Sequence, residues 1–329
     1  MLRRYFLQIL GYMVAGVTGV LSWGDLTEGQ QDKLESNLSS SPTSSKKTPE
    51  PPAKTSNIIT EIFPIITVNR RGEEIDRRQG SAQVFQEDLG NGVILEMVKI
   101  PAGSFMMGSL PDEVGKIDDQ GPQHQVNVRE FWLGKYVVTQ AQYQQIMGNN
   151  PAYFKGKKRP IERVSWDMSQ QFCQKLSELT GKKYRLPSEA EREYAGRAGT
   201  TTPFHFGETL TDKLANYEAS YAYADGPKGV ISQETTDVGS FPSNAFGLYD
   251  IHGNVWEWCE DTWHDNYNNA PNDGSAWISS DNTDNNIWRM LRGGSWYDYP
   301  TYCRVAFRGN NNRAYVSYTI GFRVSCDLV

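Results

Sequence analysis

The sequence predicts an irregular α+β domain, on three observations. Extended runs broken by turn residues come first, three short helices with clear end signals follow, and beyond about residue 200 helical periodicity gives way to Gly, Asn, Asp and Trp. Short strands and long loops around a few helices make an α+β domain.

The elements follow in order. VILEMVKIPAGSFMMG, just after Gly92, reads as a strand, a Pro-Ala-Gly turn and a second strand, and the main domain starts there. HQVNVREFWLGKYVVT is another extended run, with Val126 and Val128 on one face. Thr139 caps a first helix in which Tyr143, Ile146 and Met147 form an i, i+3, i+4 stripe ending at Gly148. A second helix runs from about Ser165 to Thr180, with Met168, Phe172, Leu176 and Leu179 facing one way and Gly181 after its end. The third opens at Ser188, has Glu191 three residues on as a capping box, and ends at Gly199. Trp256, Trp258, Trp288 and Trp296 are expected in the core, and 264–286 is expected to be a solvated loop.

Before the main domain, residues 1–24 read as a signal or anchor segment. Arg3 and Arg4 precede an apolar run from Ile9 to Trp23, a pattern that also resembles a twin-arginine export signal. The chain is therefore expected to be exported, periplasmic or at the cell surface, with a membrane tether if the segment is retained. Residues 25–57 are rich in Ser, Pro, Thr and Lys and hold too little apolar side chain to offset ordering entropy, so they form a linker. Residues 58–91 form an N-terminal extension lying against the main domain, which occupies 92–329.

Composition narrows the function. The chain has 329 residues with 9 Trp and 17 Tyr, which suits packed rings better than disorder. The net charge is −6 and no long basic run exists, so no nucleic-acid partner is expected. Its four cysteines include no C-x-x-C pair, and its four histidines are far apart, so zinc-ribbon and metal-helix spacings are missing.

Seven segments carry a resemblance: IPAGSFMMGS, GKYVVTQAQY, PIERVSWDMSQQFC, KKYRLPSEAEREYAGRAG, FGLYDIHGNVWEWCED, LRGGSW and GFRV, in that order between residues 100 and 324. From about residue 92 to the C-terminus the chain resembles the formylglycine-generating-enzyme (sulfatase-modifying factor) family, which implies its variety of the C-type-lectin fold. Arg192 departs from the pattern, where the family usually has Trp.

The resemblance implies a calcium site, with side chains at Asp250 and Glu257 and carbonyls at Gly253 and Val255. An all-oxygen set of this kind suits a hard cation. The residues alone also allow Asp250 to cap a turn and Glu257 to pair with an arginine. A second family calcium site would involve Asn216. The family's oxidases hold copper(I) with two cysteines, at positions that here are Asp298 and Cys303; one thiolate and one carboxylate hold that soft metal poorly. Ser295 matches a family active-site residue, so Cys303 and Ser295 are the catalytic candidates if oxidase activity is retained. Cys173 and Cys326 match, roughly, a disulfide of some relatives.

Residues 297–319 read YDYPTYCRVAFRGNNNRAYVSYT, with no Lys, Glu, Gln, Met or Trp. Every residue type present is reachable from the Asn codon AAC by changing its adenines, and the five missing types are not. This resembles the variable region of diversity-generating-retroelement target proteins, whose lectin-like domains display mutated residues. The resemblance implies a ligand-binding surface of Tyr297, Asp298, Tyr299, Thr301, Tyr302, Phe307, Asn310, Asn311, Asn312, Tyr315 and Tyr318. Tyr supplies contact area at low entropic cost, and Ser, Gly and Asn supply adaptable hydrogen bonds. Two functions are open: a non-catalytic display protein that binds a protein or other macromolecule, and an oxidase acting on a substrate-peptide cysteine.

Overall fold

The β-branched run after residue 57 forms β1 (Ile58–Val68), which pairs antiparallel with β2 (Glu74–Asp88) along the whole of β1, from Ile58 opposite Phe85 to Val68 opposite Glu74. β2 continues onto β3 (Ile94–Ile100) after a turn with Asn91 and Gly92 at positive φ. The extension at 58–91 is thus a hairpin added to the main sheet, burying Phe63, Ile65, Ile66 and Val68. The computed structural model describes residues 58–279 and 287–327, so the expected signal segment and linker lie outside the described residues.

After β3, the Pro-Ala turn leads to β4 (Gly103–Met107), which pairs with β5 (His124–Val128) as a separate two-stranded sheet with Val126 and Val128 buried. β6 (Phe131–Gly134) then returns to the main sheet. The three helices are α1 (Gln140–Met147), α2 (Trp166–Thr180) and α3 (Glu189–Arg197), and their caps fall where the residue types place them. Thr139 and Ser188 form capping boxes with Gln142 and Glu191, and the Ser165 hydroxyl accepts from the Met168 N–H. Gly148 and Gly181 close α1 and α2 in the left-handed conformation; at α3 that conformation falls on Ala198, one residue before the expected Gly199.

β7 (Tyr184–Arg185) lies between α2 and α3. The second half supplies β8 (Trp256–Thr262), β9 (Trp288–Arg292), β10 (Gly309–Asn312), β11 (Ile320–Phe322) and β12 (Ser325–Asp327). The main sheet runs β1-β2-β3-β6-β12-β7, so the last strand is inserted between β6 and β7. A four-stranded sheet runs β10-β9-β8-β11, with β11 parallel to β8.

One apolar cluster gathers α1, α2 and the two larger sheets around Phe172, Leu176, Trp258 and Phe322, and a second packs α3 against β3, β5 and β6. Charged side chains are buried with these clusters. Arg292, Arg304, Arg308 and Arg323 are each at most 1–2% exposed and pair with Glu193, Glu113, Glu189 and Glu257.

Several expectations are corrected. Leu179 is 55% exposed, because the last turn of α2 passes beyond the cluster that takes Phe172 and Leu176. Trp288 is exposed on β9, whereas Trp258 and Trp296 are buried and Trp256 partly so. The described part of the 264–286 loop is not all solvated, since Tyr267 is buried and its hydroxyl donates to Glu189. Cys173 and Cys326, whose pairing the sequence left open, lie in one apolar cluster as free thiols.

Candidate ligand-binding site

The site begins where β9 ends. Gly293 and Gly294 both take positive φ, and a Cβ on Gly294 would stand 2.6 Å from Cys303 Sγ, so glycine alone fits this crossing. Ser295 is fully buried, and its hydroxyl donates to Asp298 Oδ2. The same oxygen accepts the Trp256 indole N–H at 2.8 Å, and the Asp298 carbonyl accepts the Glu218 N–H at 2.9 Å. Burial raises the Asp298 carboxyl above its ordinary range, and the hydrogen bonds from Ser295 and Trp256 oppose that rise. Asp298 therefore fastens three segments together: the turn after β9, the start of β8 and the loop at 217–221.

On that fastening stand the rings. Tyr297 is 62% exposed and Tyr299 45%, and both line a cleft of about 470 Å³ with Tyr302, Glu218, Ser220, Tyr221 and Ile231. Tyr299 packs against Tyr221 with ring centroids 4.3 Å apart, and Tyr302 lies 6.1 Å from Tyr299. On the other side, Tyr297 touches Trp296, which touches Tyr318 and Phe154, and exposed Tyr153 continues the row. Two ring groups thus meet at the Tyr297–Tyr299 turn.

Glu218, Tyr221, Tyr153 and Phe154 were not among the sequence candidates. The run NYEASYAYADG, dense in Tyr, is the signal that could have flagged Tyr221. Tyr153 and Phe154 are held by Glu162, whose Oε1 accepts both of their backbone N–H groups.

The other sequence candidates divide. Tyr315 and Tyr318 are exposed. Thr301 is half-buried against Gly115. Asn310, Asn311 and Asn312 are half-buried on β10, paired to β9, and do not line the cleft. Phe307 is a correction: it is 8% exposed and packs on Trp256 and Tyr302, so it supports the surface from beneath. The whole run from Cys303 to Arg308 is buried. Arg304 binds Glu113, Gln120 and the Gly115 carbonyl, and Arg308 binds Glu189 at 2.7 Å while stacking near Trp263 and Tyr267.

The residues present fit neither copper(I), which the sequence already disfavours, nor the expected calcium ion. Cys303 is fully buried, burial and the neighbouring Asp298 push its thiol well up, and Asp298 is already committed to Ser295 and Trp256. That is no pair for copper(I). At the calcium positions, Glu257 is enclosed by the guanidinium groups of Arg192 and Arg323. Asp250 Oδ2 accepts from the Gly239 N–H, which leaves Oδ1 without a hydrogen-bond partner. With both Glu257 oxygens held by guanidiniums, Asp250 Oδ1 and the Gly253 and Val255 carbonyls are what remains of the expected set, three oxygens against the six to eight calcium takes. Asn216 donates its amide N–H groups to the Glu234 carbonyl and to Asn254 Oδ1, which engages its nitrogen and not the oxygen a calcium ion would take.

Comparison with known proteins identifies the scaffold. The family model for the sulfatase-modifying factor enzyme 1-like domain matches residues 82–328. The chain belongs to this family. Its α+β architecture is the C-type-lectin-like fold of the formylglycine-generating-enzyme type. The chain is 37% identical to PvdO from Pseudomonas aeruginosa, with a TM-score of 0.63, over 74% of this chain and 98% of that one. It is 26% identical to Treponema denticola variable protein 1, with a TM-score of 0.60 over 74% and 98% of the two chains. A formylglycine-generating enzyme of Mycobacterium tuberculosis is 28% identical over 72% of this chain and 99% of its own. The match also covers 37% of the length of serine/threonine-protein kinase pkn1 from Chlamydia caviae, at 30% identity. The hairpin of β1 and most of β2 lies outside the matched domain.

Proposed function

We propose that this family member is a non-catalytic ligand-binding protein, exported, whose fixed scaffold holds out a diversified surface to a protein or other macromolecule. The observation that carries the reading is a division inside the 297–319 window. Tyr297, Tyr299, Tyr315 and Tyr318 face solvent, whereas Cys303 to Arg308 are buried and ion-paired. A surface that tolerates variation needs free side chains on a frame that does not move, and this loop supplies both. The likeness to the Treponema variable protein supports the same reading.

The test lies first in the gene. A second copy of the codons for about residues 290–325, differing at adenines and adjoining a reverse-transcriptase gene, is the expected finding. The differences should fall on the exposed tyrosine codons and spare those for Cys303 to Arg308. Lack of such a copy, or differences spread through the buried run, would overturn the proposal. So would sustained copper-dependent turnover of a Cys-x-Pro-x-Arg peptide by the purified chain, which is what the oxidase alternative requires.

A further inference from the structure

Arg192 and Glu257 meet deep in the molecule, on α3 and β8. Glu257 is fully buried, and each of its oxygens accepts two N–H groups. Arg192 donates from Nε to Oε2 at 2.7 Å and from Nη2 to Oε1 at 3.1 Å. Arg323, which follows β11, donates from Nε to Oε2 at 3.1 Å and from Nη2 to Oε1 at 3.0 Å.

The remaining guanidinium N–H groups hold the backbone around the carboxylate. Arg192 Nη2 also reaches the Ile251 carbonyl at 3.0 Å. Arg323 donates to the carbonyls of Gly134, Lys135 and Tyr249 at 2.8–2.9 Å. The turn from Tyr249 to Glu257 is therefore tied to α3, to β6 and to β11 by two side chains.

We propose that the guanidinium of Arg192 takes the place of the calcium ion that the family pattern assigns to Asp250, Gly253, Val255 and Glu257. The counter-charge to Glu257 is then covalently built into α3, and this turn holds together without a metal. Three observations support it. Arg192 stands at a position where the family pattern has an uncharged Trp, so the positive charge arrives with the departure. Both Glu257 oxygens have their acceptor capacity filled, and a divalent cation would have to displace N–H donors while facing two guanidiniums at low dielectric. Room for the group is also built in: a Cβ at Gly196 would lie 3.0 Å from Arg192 Nη1, and one at Gly293 would lie 3.0 Å from Nη2.

The experiment uses the full chain. Thermal unfolding is measured in EDTA and in millimolar calcium, and bound calcium is counted by elemental analysis after dialysis. The expected result for the wild type is one melting temperature in both buffers and no retained calcium. A melting temperature that drops by several degrees in EDTA and recovers with calcium overturns the proposal, as does one calcium per chain that Glu257→Gln removes. Arg192→Met is the second arm. It should melt lower than wild type in EDTA and gain several degrees from calcium, because Glu257 and Asp250 then face an empty position. If this variant folds and calcium does not raise its melting temperature, the guanidinium is an ordinary ion-pair partner and the proposal fails. If it does not fold in either buffer, the wild-type calcium count decides alone.

Discussion

Asp298 Oδ2 accepts the Trp256 indole N–H at 2.8 Å, so Asp298 is a structural clasp between the turn after β9 and the start of β8. The same oxygen takes the Ser295 hydroxyl, and the backbone of Asp298 holds the loop that carries Tyr221. This one side chain and its backbone thus fix the turn from which Tyr297 and Tyr299 project.

Asp298 sets the first prediction. Its folded pKa lies above the ordinary Asp value, so the folded chain holds a proton that the unfolded chain has released. The contribution to stability is greatest in acid and declines as pH rises through the ordinary Asp range toward the raised value. Asp298→Asn keeps an oxygen acceptor for both donors and should flatten that decline. Asp298→Ala should cost about 1–3 kcal/mol at neutral pH by leaving the Trp256 N–H unpaired. Denaturant titrations of the three proteins across the acid range check both expectations.

A second prediction separates the surface from its support. Tyr299→Ala should change folding stability by no more than about 1 kcal/mol, because the ring is nearly half exposed and its closest ring partner, Tyr221, is itself at the surface. Phe307→Ala removes a buried ring wedged between Trp256 and Tyr302 and should cost about 3–5 kcal/mol. Unfolding midpoints settle the contrast. Equal costs would mean that the window has no exposed-and-buried division.

The sequence showed the scaffold better than the site, for a physical reason. Helix ends are local: Thr139, Ser165 and Ser188 cap through atoms within a few residues, so composition alone reveals them. The tyrosine surface was legible because missing residue types mark it in one dimension. Which members of 297–319 face inward was not legible. Phe307 is buried by Trp256, and Arg304 by Glu113, partners roughly fifty and two hundred residues away. Arg192 departs from the family pattern in the sequence, but its partner Glu257 lies 65 residues away and only the packing of α3 on β8 brings the two together.

Glu162 carries the third prediction. It is fully buried, its Oε1 accepts the N–H groups of Tyr153 and Phe154, and its Oε2 has no hydrogen-bond partner. Burial raises its pKa from the ordinary 4.5 to about 6. Because the folded value is the higher one, stability is fully present in acid and is lost as pH rises from the ordinary value through about 6. The loss should be about 2 kcal/mol. Glu162→Gln keeps an acceptor for Tyr153 and Phe154 and carries no charge, so it should remove this slope and stabilise the chain at neutral pH. Stability measured on both sides of the window checks it, and an unchanged slope in the variant would assign the titration to another group.

The last prediction concerns Gly294, on which the geometry of the turn rests. At φ 73° a Cβ would stand 2.6 Å from Cys303 Sγ, 3.0 Å from Cys303 Cα and 3.1 Å from the Tyr302 carbonyl oxygen. Gly294→Ala should therefore cost about 1–2 kcal/mol for the left-handed backbone and a further 1–3 kcal/mol or so for overpacking. Adding Cys303→Ala removes the sulfur but neither backbone atom, so the double variant should recover only part of that loss relative to Cys303→Ala alone. A double-mutant cycle on unfolding free energies measures the recovered share. Complete recovery would mean that the thiol alone excludes a side chain at 294. Partial recovery means that the backbone of the 302–303 turn also requires glycine, whichever tyrosines that turn displays.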